Sequence, residues 1–334
     1  MQSDNISGNY PGLSHTNRMV KFYNADFTLG GPISEDKVWF FLASKAAATK
    51  NTVPGVFFNK GFTTTLGDPN SNVHPFIADS SREGYRREWM RSIGARFTVQ
   101  ASETQKIGIF TDFQSFYNRG RGEFASPEAF THQYNLSPEQ LYQVTYTAPV
   151  SSRLLLEAGF SHMRGQWPYP APGDGEFATV PGAIAITELT TAFRYNARYY
   201  YADQIDKHRY AERASLSYVT GSHAFKAGFN MEHGLSTADR QVQGDVEYHF
   251  RNGIPSRLVQ HATYTSDGTN GLRKERLLEL GIYLQDQWTL PQFTVNYGIR
   301  FDQYVGRIPA QQLAANRFLP ALSLIHICRC RRAI

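Results

Sequence analysis

The chain has 334 residues, of which 14% are aromatic and only 19% charged, and its formal net charge is +5. No run of about 18 apolar residues occurs, which excludes a transmembrane helix. A mean hydropathy of −0.43 does not exclude a membrane β-barrel, whose strands turn only half of their residues to lipid.

Alternating apolar and polar residues recur along the chain in pairs of segments joined by short turns. Side chains alternate faces along a strand, so each segment predicts a β-strand with two chemically different faces. The predicted pairs lie at about residues 22–30 and 38–47, 88–100 and 106–116, 140–148 and 153–163, 210–219 and 224–233, and 277–288 and 293–304.

The strand at the end of this series has the clearest pattern. Its apolar positions are Phe293, Val295, Tyr297, Ile299 and Phe301, and its other positions are Thr294, Asn296, Gly298, Arg300 and Asp302. One face of the predicted sheet is therefore apolar, and the other carries charges and amides.

Strand length and loop length favour a barrel in lipid. Most predicted strands run for about 9–13 residues, and a tilted strand needs about 9–11 to cross the hydrocarbon layer. The other strand ends are joined by long polar segments at about 48–87, 117–139, 164–209 and 234–276, with another from 305 onward, and such connections are unusual inside compact soluble domains. The sequence predicts an all-β, antiparallel transmembrane barrel with short periplasmic turns and long extracellular loops.

Tryptophans mark the predicted membrane boundaries. Trp39 and Trp288 lie next to short turns and are expected at the periplasmic boundary, whereas Trp89 is expected at the outer one. The return strand of the first pair, at 38–42, is apolar on both faces, so its register stays ambiguous. One loop has its own hairpin, predicted at 246–250 and 258–262 around an Asn-Gly turn.

The polar face is predicted to line the barrel interior and to form salt bridges there. Its charged members are Asp26, Arg96, Glu157, Lys226, Arg300 and Asp302.

No catalytic, cofactor or metal motif is present, and no ligand-binding residue can be assigned. Residues 174–176 and 267–270 could offer calcium oxygen ligands, but such short runs more often form turns. Residues 119–122 read RGRG, and an exposed turn or a lipopolysaccharide contact is favoured over nucleic acid. Loop packing is favoured over ligand stacking for a group of tyrosines, which are Tyr195, Tyr199, Tyr200 and Tyr201.

The two ends of the chain need separate interpretation. The start lacks the basic and apolar regions of a signal peptide, so we expect the chain to begin inside a longer open reading frame. Residues 323–334 differ from the rest and hold both cysteines and three of the arginines. They resemble translated sequencing-adapter DNA, although a basic tail with zinc-ligating cysteines is an alternative. The expected division is a barrel fragment over 1–322 and a non-native tail over 323–334.

Several segments resemble one family. Residues 26–41 read DFTLGGPISEDKVWFF, residues 281–290 read GIYLQDQWTL, and residues 296–302 read NYGIRFD. With residues 317–321, these are similar to motifs of Oar-like TonB-dependent receptors, over about residues 5 to 322. The first two motifs together carry the resemblance.

The resemblance implies an outer-membrane transporter of large, scarce nutrients in a Gram-negative bacterium. Such receptors have barrels of about 22 strands closed by a plug. They are driven by the TonB–ExbB–ExbD complex through an N-terminal TonB box, and neither plug nor box is present here. A partial barrel of about ten strands, inactive alone and neither enzymatic nor bound to nucleic acid, is therefore expected in contact with lipid and lipopolysaccharide. The alternatives are a plug-free porin or adhesin-type barrel and a soluble all-β carbohydrate-active enzyme or binding protein.

Overall fold

The fold is built almost entirely from antiparallel β-strands. A computed structural model describes residues 17–60, 75–121, 124–129, 132–168, 183–198, 200–202, 205–261, 273–309, 311–313 and 322–324, with 315, 318 and 320. No helix in these ranges is long and apolar enough to cross a membrane.

Ten strands form one sheet, in which every neighbouring pair is antiparallel. In spatial order they are β1 (Met19–Ser34), β2 (Val38–Asn59), β3 (Ala78–Ser102), β4 (Gln105–Arg121), β5 (His132–Ser151), β6 (Leu154–Gln166), β9 (Ile205–Thr220), β10 (His223–Ala238), β13 (Arg273–Thr289) and β14 (Thr294–Arg307). The strands β1 and β14 are the two edges.

The five predicted strand pairs are confirmed, but their predicted lengths are wrong. The ten strands have between 13 residues (β6) and 25 residues (β3). They extend at the long-loop end, where the alternation of apolar and polar residues fades. The sheet therefore continues beyond the roughly 9–11 residues that span a hydrocarbon layer.

The strand register aligns apolar side chains into continuous rows on one face, the apolar face. One row crosses nine strands through Val38, Val99, Ile107, Tyr146, Ala158, Ala214, Phe229, Ile282 and Phe301. Large members of this face remain uncovered by the chain, and Ile299 is 74% exposed. An exposed apolar surface of this extent needs an apolar environment.

The opposite face, the polar face, has rows of a different composition. One of them runs through Gln100, Lys106, Thr147, Glu157, Ser215, Gly228, Tyr283 and Arg300. The two faces therefore differ in chemistry across the whole width of the sheet.

A smaller mixed sheet caps the long-loop end. Its order is β12 (Ile254–Gln260), β11 (Val246–Arg251), β7 (Ile186–Glu188) and β8 (Phe193–Tyr195). The pair β7 and β11 is parallel, although the two strands come from different connections. Short 3-10 helices lie at Pro127–Ala129 and Gln243–Asp245.

The small sheet, the 3-10 helix Pro127–Ala129 and the outer end of β2 together form the cap, where most buried apolar side chains lie. One cluster contains Val56, Phe58, Ala125 and Ala129, and another contains Ile186, Tyr195 and Phe250. The cap therefore folds on conventional small cores, whereas the ten-stranded sheet has no apolar layer packed on its apolar face among the described residues.

A short hairpin ends the described chain, with β15 (Gln311–Leu313) paired to β16 (Leu322–Leu324). The first two residues of the predicted adapter tail, Ser323 and Leu324, belong to β16, and the rest of the tail lies outside the described residues.

Candidate functional site

The polar face is an ion-paired wall. Register places all six predicted charged residues on it, as expected from the alternation. Lys226 Nζ lies 3.4 Å from Glu157 Oε2, and Arg300 Nη2 lies 2.7 Å from Asp302 Oδ1. Asp26 pairs with Lys45 at 3.7 Å. Exposed pairs of this kind add little stability, but they fix the polar character of the wall.

A shallow polar groove of about 350 Å³ lies on this wall. Its polar lining includes Thr145, Ser161, Arg213, Asn230, Glu279 and Arg300. Carboxylates, guanidinium groups and amides alternate across it, which suits contact with water or with another polar protein surface.

Glycines leave space on the polar face where long side chains lie across neighbouring strands. The guanidinium group of Arg300 lies directly over Gly281, in the space that a Cβ atom would need. The side chain of Arg213 covers Gly159 in the same manner, 2.9 Å from the ideal Cβ position. The polar side chains can therefore lie along the wall.

The apolar face has one buried carboxylate near the short turns. Asp286 lies in the row of Phe225 and Tyr297, and its side chain is only 3% exposed. The Tyr297 hydroxyl and His223 Nδ1 each lie 2.6 Å from Asp286 Oδ2. The Trp288 ring stacks on His223 at 5.6 Å. The carboxylate is thus covered by aromatic side chains on a face that is otherwise apolar.

The three predicted boundary tryptophans do not all lie on this face. Trp288 is on the apolar face beside the last short turn, and Trp89 lies toward the long-loop end, stacked on Tyr117 at 5.8 Å. Trp39 is beside its turn as expected, but it pairs with Thr98 and shares the polar face with Arg96. Its expected position at the lipid boundary is therefore wrong. Residues 38–42 are apolar on both faces, so their pattern could not indicate on which face Trp39 lies.

The hairpin predicted in the loop is confirmed as β11 and β12, but its second strand begins at Ile254 and not at the predicted Leu258. Asn252 and Gly253 have φ values of 53° and 76°, the left-handed conformation that an Asn-Gly turn adopts readily. The carboxylate of Glu188, at the end of β7, accepts hydrogen bonds from the amides of Asn252 at 3.0 Å and Gly253 at 2.9 Å. One acidic side chain therefore holds the turn to a strand 64 residues earlier.

This carboxylate is strongly stabilised in its ionised form. The hydroxyl and amide of Thr190 also donate to it, and with the Gly253 and Asn252 amides they lower the pKa of Glu188 from 4.5 to about 2. Burial, with a smaller contribution from Glu188, raises the pKa of the nearby Tyr195 to about 12. The ionised carboxylate of Glu188 therefore lies near the neutral phenol of Tyr195.

An aromatic pocket of about 410 Å³ opens beside Glu188. Phe57, Phe76, Phe193 and Tyr195 form its walls, with Glu188 at one side. The Phe76 and Phe193 rings meet edge to face at 4.7 Å, and Phe76 lies 5.7 Å from Tyr195. Gly253 also lines the cavity, so residues from three separate connections converge on it.

The predicted tyrosine group has mainly a packing role. Tyr195 is 2% exposed and belongs to the core with Phe250. Tyr200 lies under the guanidinium group of Arg240 at 4.4 Å, and the Tyr201 backbone pairs with that of Gln241. Tyr199 lies outside the described residues. Tyr195 also lines the aromatic pocket, so packing does not account for all of its surface.

The RGRG segment is not the exposed turn that we expected. Arg119 and Gly120 lie inside β4, and Gly120 is buried with a φ of 94°. Burial and the charge of Arg119 lower the pKa of Arg198, in the cap, to about 10. Gly122 lies outside the described residues. The part of the segment that is described therefore belongs to the contact between sheet and cap.

Sequence reasoning missed a buried acid in the cap. Glu128 is 3% exposed, and its Oε1 accepts the Asn59 amide at 2.6 Å. Burial raises the pKa of Glu128, so the cap core favours its neutral form. The sequence offers one signal, an acidic residue after Pro127 in the short 3-10 helix.

The proposed calcium runs at 174–176 and 267–270 lie outside the described residues, so their role stays a prediction. Within the described ranges, no group of three or more His, Cys, Asp or Glu side chains is placed to hold a metal ion.

Comparison with known proteins gives one family. Residues 69–324 match the model of the outer membrane beta barrel domain. No curated protein matches the sequence.

Several solved structures are similar in part, and the chain spans less than half of each of the three named here. The outer membrane transporter YddB from Escherichia coli is 11% identical, with 85% of this chain covering 34% of that one and a TM-score of 0.48. The ferric enterobactin receptor PfeA from Pseudomonas aeruginosa is 11% identical, with 87% covering 38% and a TM-score of 0.47. The siderophore receptor PiuA from Acinetobacter baumannii is 9% identical, with 92% covering 44% and a TM-score of 0.48.

Proposed function

The chain belongs to the family of outer membrane beta barrel domains, and from this we propose that it is part of the barrel wall of a TonB-dependent receptor. Its location is the outer membrane of a Gram-negative bacterium. The apolar face then contacts lipid, and the polar face lines the interior. The long connections and the cap lie outside the cell, and the short turns lie in the periplasm.

The observation that carries the proposal is the contrast between the two faces. Apolar rows continue across nine strands on one side, whereas ion pairs such as Lys226 with Glu157 occupy the other. A soluble sheet would pack its apolar rows against a second layer. A receptor wall presents them to lipid and keeps its polar side for water and a plug.

The ten-stranded sheet supports a partial barrel. The backbone of β1 and β14 at the edges has no further strand beside it among the described residues. Unpaired backbone groups are costly in lipid, so we propose that neighbouring strands complete a barrel of about 22 strands. The fragment alone is then inactive in transport. That residues 323–334 are a non-native tail stays a proposal, and the two of them that the structure describes, Ser323 and Leu324, lie in β16.

The proposed mechanism is energy-coupled uptake of a large, scarce nutrient. Ligand binds at the outer loops and the plug, and TonB with ExbB and ExbD acts on the plug through a TonB box. The motif resemblance over residues 26–41 and 281–290 supports the Oar-like subtype. The polar groove with Arg213, Asn230 and Glu279 is suited to plug contact rather than to catalysis.

The test uses the full-length receptor recovered with its missing regions. A photo-reactive residue in its TonB box should cross-link to TonB in cells, and a variant without the box provides the control. The purified receptor should also leave a planar bilayer closed to ions, because a plug fills the lumen. A steady open conductance without any cross-link would instead identify a plug-free porin-type barrel.

A further inference from the structure

We propose that the aromatic pocket of the cap binds an organic cation, a ligand with an apolar or aromatic body and one protonated amine or quaternary ammonium group. The proposal rests on the proposed function, because it names a ligand class for that receptor. The pocket lies at the long-loop end of the sheet, where an external ligand first meets the protein.

The walls of the pocket suit both parts of such a ligand. Four aromatic side chains converge there, which are Phe57, Phe76, Phe193 and Tyr195. Their rings offer apolar area to the body of a ligand, and their faces carry negative electrostatic potential that attracts a cation within about 6 Å of a ring centre. A cavity of about 410 Å³ lies within the size range of small-molecule sites.

The charge of the pocket lining indicates the class of ligand. Glu188 is the acidic residue of the lining, and no ion pair among the described residues involves it. Its Oε1 accepts hydrogen bonds from Thr190 and Asn252, whereas its Oε2 accepts one from the Gly253 amide. Oε2 therefore keeps acceptor capacity for a further donor. An anion would meet an unneutralised carboxylate and the negative ring faces, and a cation complements both.

Position favours a ligand that bridges two loops. Phe193 and Glu188 come from the connection after β6, and Gly253 comes from the connection after β10. Phe57 comes from the extension of β2. A bound cation would contact all three, so its binding would add to the contact that Glu188 already makes with the turn.

The experiment compares three probes that share one aromatic body and differ in charge. Isothermal titration of the full-length receptor in detergent at pH 7 uses 2-phenylethylammonium, 2-phenylethanol and phenylacetate. The ammonium probe should bind about tenfold more tightly than the alcohol, and phenylacetate should bind most weakly.

Three variants separate the contributions. Glu188→Gln should remove the tighter binding of the ammonium probe relative to the alcohol. Glu275→Gln, at an exposed acid paired with Arg273 at 3.5 Å, should keep it. Because Glu188→Gln also loosens the turn, Phe193→Ala gives an independent measurement. It should weaken the binding of the ammonium and alcohol probes, and the ammonium probe should still bind more tightly than the alcohol.

Equal binding of the three probes, preference for phenylacetate, or no binding of any probe would overturn the proposal. The titration needs no TonB, so it is independent of the cross-linking test. A receptor that prefers the ammonium probe but never cross-links to TonB would overturn the proposed transport function alone.

Discussion

The hydroxyl of Tyr297 donates a hydrogen bond of 2.6 Å to Oδ2 of Asp286, between directly paired positions of β14 and β13. His223 Nδ1 lies at the same distance from that oxygen. All three residues belong to the lipid-facing side, close to the periplasmic turns. Aromatic and imidazole groups cover this carboxylate and supply hydrogen bonds to its Oδ2, whereas its buried Oδ1 has no hydrogen-bond partner among the described residues.

Removing one of these partners should impair assembly of the receptor. We expect Tyr297→Phe to lower the fraction of folded receptor in the outer membrane, because Asp286 keeps one partner fewer in a site from which water is excluded. The folded fraction is measured from heat-modifiable mobility on gels. Tyr304→Phe makes the same change on the polar face, where the Tyr304 hydroxyl forms no hydrogen bond to any described residue, and should be neutral. Equal loss in both variants would contradict this role of Tyr297.

The assignment of faces predicts opposite outcomes for two arginine substitutions on β14. Ile299→Arg places a charge in the lipid-facing row and should destabilise the inserted receptor by about 2–4 kcal/mol near the bilayer midplane. Asn296→Arg lies on the polar face, paired with Gln287, and should be tolerated. Unfolding of each full-length variant by urea in lipid vesicles gives the comparison. Similar unfolding midpoints would show that the two faces are wrongly assigned.

Acid should release the cap hairpin from the strand that carries Glu188. The pKa of Glu188 falls from 4.5 to about 2 on folding, so its contribution is complete above pH 4.5 and is lost as the pH falls through about 2. Spin labels on β12 and β8 should therefore report a fixed distance above pH 4.5 and a broadened one near pH 2. In Glu188→Gln the distance distribution should be broad at every pH. A distribution unchanged between pH 7 and pH 2 in the unmodified hairpin would refute the anchor.

Gly120 should be irreplaceable where β4 meets the cap. A Cβ atom there would lie 2.5 Å from the Tyr85 carbonyl oxygen and 2.9 Å from Arg86 Cα, and its φ of 94° strains any L side chain. We expect Gly120→Ala to destabilise this region by about 1–3 kcal/mol from overpacking alone. Hydrogen exchange of the cap should rise in this variant. Gly31→Ala, where the added Cβ meets nothing within 4 Å, is the matched control and should leave exchange unchanged.

The ten strands could be predicted because the two faces of the sheet contact different environments. Lipid on one side and water on the other impose a period of two on every strand that crosses the membrane, as in residues 293–304. The pattern failed at Trp39, since residues 38–42 are apolar on both faces and give no register. Pairing with β3 supplies it in the structure.

The ends of the strands could not be predicted, because the sheet beyond the membrane packs against the cap and no longer lies between lipid and water. β2 continues to Asn59 with a register shift between Thr52 and Phe57, and Val56 and Phe58 pack into the cap core. Apolar residues there follow the shape of the cap instead of an alternation.

The pocket was beyond sequence reasoning for a related reason. The strands β7 and β8 have three residues each, too few to carry a pattern. Glu188 acquires its role from backbone amides 64 and 65 residues later. Only the Asn-Gly turn of β11 and β12 was visible locally.

Parallel pairing of β7 with β11 joins two loops that leave the barrel at separate places. A relative that acquired either loop alone would have half of a sheet with an open edge, and it would have either the turn or its carboxylate but not both. If the chain is part of a receptor, as we propose, a change of its ligand should therefore arise by replacing both loops together.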